Sequence, residues 1–143
     1  MKLELKHLAG YLPYGLKAID ERTKEIRTVT LLHFTYDRES VGHNHLLYEG
    51  ILLSNHLPIL RPLSDLAKEI EVNRKKFVPK EKLWDEIVYD TDEEYYRILK
   101  REWDEIDLIK SAPYRFVQRL QEWHFDIYGL IENGLAIDIN TIK

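Results

Sequence analysis

Cysteine is absent from this 143-residue chain. That excludes a disulfide framework, a thiolate nucleophile and any cysteine-based zinc site. Small secreted domains often rely on disulfides, so a reducing compartment is expected. No apolar run approaches the ~20 residues of a membrane span. The start, Met1-Lys2-Leu3-Glu4-Leu5-Lys6, lacks the apolar core of a secretory signal. The expected setting is the cytoplasm, with no membrane contact. A Gly-rich phosphate loop, a serine elbow and a paired-carboxylate spacing are also missing. So is a basic surplus: the net charge is −4. This argues against a dedicated nucleic-acid binder and leaves room for a local basic patch. Repeats, low-complexity tracts and linkers do not occur, and the length suits one domain, 1–143.

The hydrophobic content, 44%, is enough for a core without staples. The pattern predicts an α+β fold: a small N-terminal antiparallel sheet packed with three to four helices, with a C-terminal strand returning to the sheet. Tyr11-Leu12-Pro13-Tyr14-Gly15 reads as an aromatic loop, because Pro and Gly exclude a regular helix. Leu16 to Ile19 reads as a short strand. Ile26 to Tyr36 is rich in β-branched and aromatic residues and reads as one strand. His45 to Leu53 and Leu57 to Arg61 follow as further strands of a meander. Leu63 to Ile70 reads as a short helix and Val72 to Lys76 as a turn. Pro79 suits the first position of a helix through Val88. Thr91 and Glu94 form a capping box for a helix from Asp92 to Ile109.

The clearest helical period lies in the C-terminal stretch. Phe116, Leu120, Trp123, Ile127 and Leu130 recur every three or four residues, which predicts one long helix capped at Asn133-Gly134. Leu135, Ile137 and Ile139 then alternate as a final strand. On the polar back of that helix run Arg115, Arg119, Glu122, Asp126 and Gly129. Bases precede acids there, the reverse of what the helix dipole favours. Gly129 inside a helix costs about 1 kcal/mol relative to Ala, which suggests another backbone approaching it. The plainer reading is a solvated face that ends early.

Other clusters carry chemistry on paper. His124 and Asp126, two apart on a helix, cannot form a dyad, so His124 is expected half-buried on a backbone or tyrosine partner. His43 and His45, with His33 and His56 in neighbouring strands, have metal-like spacing but no helical metal motif, and no metal is expected. Arg74, Lys75, Lys76, Lys80 and Lys82 surround Phe77, with Trp84 nearby, and could meet phosphates with aromatic stacking. Their plainer role is a solvated basic face opposite an acidic one.

Three stretches together resemble a known family. They are L-K-H-L-A-G-Y-L-P-Y-G-L-K (5–17), P-I-L-R-P-L-S-D-L-A-K-E-I (58–70) and E-W-H-F-D-I-Y-G-L-I-E-N-G-L-A-I-D-I-N (122–140). This combination resembles a family of small uncharacterised proteins encoded by phages and prophages of gut Bacteroides-type bacteria. Residues 23–55 and 84–110 lie outside the resemblance. The family carries no assigned activity, so no catalytic residue transfers. The resemblance implies a phage-encoded accessory protein in the bacterial cytoplasm.

The expected function is therefore binding without catalysis or cofactor. The partner would be a host or phage protein, or a second copy in a homo-oligomer. The expected surfaces are the Arg115–Gly129 stripe and the Tyr11–Tyr14 loop. The alternative is a protein that binds or sequesters nucleotide or nucleic acid through Arg74, Lys75 and Lys76, for example against host defence. A histidine-based metal enzyme is the third reading.

Overall fold

A computed structural model describes residues 3–29, 31–33, 45–48, 51–53, 56–87 and 114–142. The fold is α+β. Its main sheet has four strands in the order β2-β1-β6-β9: β1 Lys17–Asp20, β2 Ile26–Thr28, β6 His56–Leu60 and β9 Ile137–Asp138. β1 pairs antiparallel with both β2 and β6. β9 lies parallel to β6, with Ile59 opposite Ile137, so the sheet is mixed rather than purely antiparallel. A parallel neighbour needs a long crossover, and here everything between Leu60 and Ile137 serves as one.

The strand predicted over Ile26 to Tyr36 divides. Its first part is β2 and its second is β3, Leu31–His33, which belongs to a separate three-stranded sheet with β4, His45–Tyr48, and β5, Ile51–Leu53. Val29 marks the division: it is buried, and its N–H bonds the Leu16 carbonyl at 2.7 Å. The helix predicted over Leu63 to Ile70 is a five-residue 3-10 helix, Leu63–Ala67, and Ile70 already belongs to a strand. Neither Ser64 nor Asp65 caps it, since its N-cap is Pro62 and makes no side-chain bond.

The turn expected at Val72 to Lys76 is a full hairpin of β7, Ile70–Val72, and β8, Lys75–Phe77. Val72 pairs with Lys75, so only Asn73 and Arg74 connect the strands. Both have positive φ, 51° and 65°, the signature of a type I′ turn. Pro79 opens helix α2, Pro79–Ile87, as the N1 preference of proline predicts. The helix expected over Asp92 to Ile109 lies outside the described residues. At the N-terminus a four-residue turn of helix, α1 Leu5–Leu8, runs into a 3-10 helix, Ala9–Tyr14, that ends at left-handed Gly15.

Regular alternation gives the main sheet two faces. Leu16, Ala18 and Leu60 face the core, where they meet Leu8, Tyr11, Phe116, Leu120 and Leu130. Register places Ile26, Ile19, Leu57, Ile59 and Ile137 on the opposite face. None of these five belongs to the main core cluster, and Ile26 is exposed.

Candidate binding surfaces

The C-terminal stretch departs most from its predicted form. The last helix, α3, runs only from Tyr114 to Glu122. His124 then adopts φ 60°. Its N–H bonds the Gln121 carbonyl at 3.0 Å, and the Phe125 N–H reaches back to Leu120 at 2.9 Å. These are the two bonds of a Schellman motif, with histidine where glycine usually stands. The same pair of bonds recurs ten residues later around Gly134, where Gly134 bonds Ile131 and Leu135 bonds Leu130. The cap read at Asn133-Gly134 is real, but it closes a turn and not the long helix.

This shortening removes one oddity of the predicted polar stripe, the helical Gly129, and eases the other, although Arg115 in the first turn and Glu122 at the end still run against the dipole. With the helix ending at Glu122, Arg119 stands in its last turn, where a cation suits the dipole. Gly129 lies outside the helix at φ 69°, and among the described residues no backbone crowds it. Its requirement is conformational rather than a close approach. Asp126 and Gly129 are both buried, so Arg115, Arg119, Glu122, Asp126 and Gly129 do not form one exposed face. Arg115 is exposed on α3. Arg119 is tied inward, its Nε 2.9 Å from Glu86 of α2 and its Nη1 2.6 Å from Glu122. The bond to Glu122 raises the guanidinium's pKa, with Glu86 adding to it and partial burial opposing both.

Asp126 is instead the organiser of the final turn. Its carboxylate accepts N–H groups from Leu130 at 2.9 Å and Ile131 at 2.8 Å, with a longer bond from Tyr128 at 3.4 Å. Three backbone donors that no helix satisfies thus find one acceptor, as at a helix N-cap. No basic side chain pairs with Asp126 among the described residues.

The Tyr11–Tyr14 loop, expected as a contact surface, turns inward. Tyr11 is fully buried. Its hydroxyl donates to the Phe125 carbonyl at 2.6 Å and accepts from the Ile127 N–H at 3.3 Å. Burial pushes that hydroxyl far above the usual phenol pKa. Tyr14 is half-buried, accepting from Gln118 Nε2 through its hydroxyl and from His124 Nε2 through its carbonyl at 2.7 Å. His124 is therefore the half-buried, backbone-satisfied histidine that the sequence suggests. Burial lowers its pKa below the usual histidine value. The Tyr14 bond opposes this, while the Arg61 and Lys17 charges reinforce it.

Arg61 extends β6 against this turn. Its N–H bonds the His124 carbonyl at 2.7 Å and its carbonyl accepts from Asp126 N at 2.8 Å. Asp65, buried nearby, accepts from Lys68 Nζ at 2.8 Å and Asn140 Nδ2 at 2.7 Å. Burial alone would raise its pKa. The two hydrogen bonds, with the charges of Lys68 and Arg61, outweigh that and hold the carboxyl below its usual range.

The β7–β8 hairpin presents the opposite arrangement. Arg74, Lys75 and Lys76 are all exposed, and none makes an ion pair among the described residues. Glu71 is the cross-strand partner of Lys76 by register. Phe77, expected as a stacking platform, is already occupied: Trp123 packs at 5.0 Å between ring centroids and Lys82 Nζ lies 4.4 Å above the ring. That cation–π contact engages the Lys82 ammonium, which also lies 5.7 Å from the Trp123 ring centroid. The side chain of Trp84 lies outside the described residues.

Of the histidines considered for a metal, His33 and His45 are Cα partners across β3 and β4. His43 lies outside the described residues. His56 starts β6 in the other sheet, opposite Asp20. Among the described residues no group of three metal-capable side chains forms, and no helix is long and apolar enough to cross a membrane. No protein-family model matches the chain, and no curated protein or solved structure matches it.

Proposed function

We propose that this protein acts by binding rather than catalysis, and that its contact surface is the β7–β8 hairpin, which engages the phosphate backbone of a single-stranded nucleic acid. The observation that carries this reading is the tip itself. Arg74 is held at φ 65° in a two-residue turn, with Lys75 and Lys76 beside it and no ion pair among the described residues. A left-handed non-glycine residue costs about 1–2 kcal/mol. Glycine at position 74 would avoid that cost, and arginine instead adds a charge at the most forward point of the hairpin.

The overall charge of −4 does not decide against this, because the distribution is uneven. Between Ile70 and Lys82 there are five basic residues and two acidic ones. Phosphate contact needs only such a local patch. With Phe77 occupied, recognition falls on charge rather than base stacking, so little sequence preference is expected. In keeping with the resemblance to phage and prophage proteins, the proposed setting is the cytoplasm of a bacterial host, where a strand binder would sequester or protect nucleic acid.

The protein should be retained on immobilised single-stranded DNA at low salt and released as salt rises. Combined Arg74→Glu, Lys75→Glu and Lys76→Glu should abolish retention without changing thermal stability. Absence of retention at low salt, or retention by the triple variant, would overturn the reading. A wild-type chain that ignores nucleic acid yet binds an acidic protein through the same hairpin would move the function to protein–protein contact.

A further inference from the structure

The chain has a second feature that the hairpin reading does not use. A cleft of about 300 Å³ opens between Pro62, Leu63 and Ser64 on one side and Asp126, Gly129, Ile131 and Glu132 on the other. That volume lies at the small end of ligand sites. Its walls are the apolar groups of Pro62, Leu63 and Ile131. Among the described residues, its polar side chains are two carboxylates and one hydroxyl, with no cation in the lining.

Asp126 makes this more than a pair of acids at a rim. It is 5% exposed. A buried carboxylate normally has a cationic partner or a full set of hydrogen bonds. Asp126 has backbone donors at Oδ1 and Oδ2 but no cation among the described residues. Carboxylate oxygens offer about four acceptor sites. Two bonds below 3.0 Å and one at 3.4 Å leave capacity. Glu132 stands exposed at the mouth, also without an ion pair among the described residues. The backbone donors fix the Asp126 carboxylate in place, so a ligand would meet a pre-organised acceptor.

We propose that this cleft binds an alkylammonium group, its carbon chain against Pro62, Leu63 and Ile131 and its ammonium between Asp126 and Glu132. The group could arrive on a free diamine or on a lysine side chain of a peptide. The charge pairing and the short apolar walls are common to both. This site is independent of the hairpin and of any nucleic acid.

The test is an NMR titration of the full chain with three probes: 1,5-diaminopentane, N-acetyl-lysine amide, and 1,5-pentanediol as the neutral analogue of the diamine. The expected result is saturable shifts at Leu63, Gly129 and Ile131 amides with an ammonium probe. The neutral diol should bind at least about tenfold more weakly, the scale of a hydrogen bond to a charged group. Glu132→Gln, at an exposed position, should weaken binding about threefold, the size of an exposed ion pair. Ser64→Phe should fill the cleft and remove the shifts, with thermal melting confirming that the variant folds. Preference for the diamine would assign the site to a free amine, and preference for the lysine probe to a peptide. Equal response to the diol, shifts confined to other regions, or no saturation with either ammonium probe would overturn the proposal.

Discussion

His124 and Arg74 both hold positive φ, 60° and 65°, without being glycine. Around His124 the strain is repaid locally. Two Schellman bonds close the end of α3, and the imidazole reaches the Tyr14 carbonyl. Tyr11 bonds the next peptide groups, and Asp126 gathers the N–H groups beyond them. Around Arg74 the only compensation among the described residues is the hairpin ladder, and the side chains of Arg74, Lys75 and Lys76 are exposed. The same unusual backbone serves packing in one region and presentation in the other. Strain by itself therefore says little about function; what the strained side chain touches is what separates the two.

The largest expected effect falls on the packed region. Asp126→Ala would leave the buried N–H of Leu130 and the partly buried N–H of Ile131 without an acceptor, at about 1–3 kcal/mol each. Urea denaturation should show a loss of about 2–6 kcal/mol. Tyr11→Phe keeps the ring and removes the hydroxyl that joins Phe125 to Ile127, so a loss of about 1–3 kcal/mol is expected. Single substitutions at Lys75 or Lys76 should stay within about 0.5 kcal/mol, as exposed positions do. A stability loss at the hairpin comparable to that at Asp126 would erase the contrast.

The contrast also explains which parts of the fold the sequence could reveal. β1, β6 and α2 were legible because alternation, β-branching and proline at N1 are local signals. The end of α3 was not. Trp123, Ile127 and Leu130 are all buried at helical spacing, yet two successive Schellman turns place them there. Chain reversal inside a compact turn buries every third or fourth residue much as a helix does. A glycine at 124 would have announced the break, and histidine, though enriched among left-handed residues, does not. Asn73 carried half of a hairpin signal, which Arg74 in place of the usual glycine concealed. Asp126 was singled out as part of a polar stripe, but its role depends on backbone donors that only the turn creates.

A pH titration sharpens the comparison further. Burial keeps His124 neutral in the folded chain below its ordinary value of 6.5. The unfolded chain takes up that proton first. Stability should therefore be full above pH 6.5 and decline as pH falls through 6.5 toward the lowered folded value. His124→Asn, which tolerates the left-handed backbone, should flatten this part of the profile. Asp65, held below its usual range, adds a second loss at pH values under 3.8. An unchanged slope between pH 7 and 5 in His124→Asn would show that another group carries it.

A difference in sign separates the two strained residues. Arg74→Gly should relieve strain without losing a contact and stabilise the chain by up to about 1 kcal/mol. His124→Gly relieves the same strain but loses the bond to Tyr14, and should come out neutral or destabilising. Equal gains at both sites would mean that the Tyr14 bond contributes nothing.

The central claim is that the hairpin binds phosphate through three cations. Fluorescence anisotropy with a labelled single-stranded oligonucleotide, at several salt concentrations, tests it most directly. Three phosphate contacts predict a slope of log affinity against log salt of about −2. Charge reversal at Arg74, Lys75 and Lys76 should remove the binding. A slope near zero in the wild type, or an unchanged slope in the triple variant, would contradict the account.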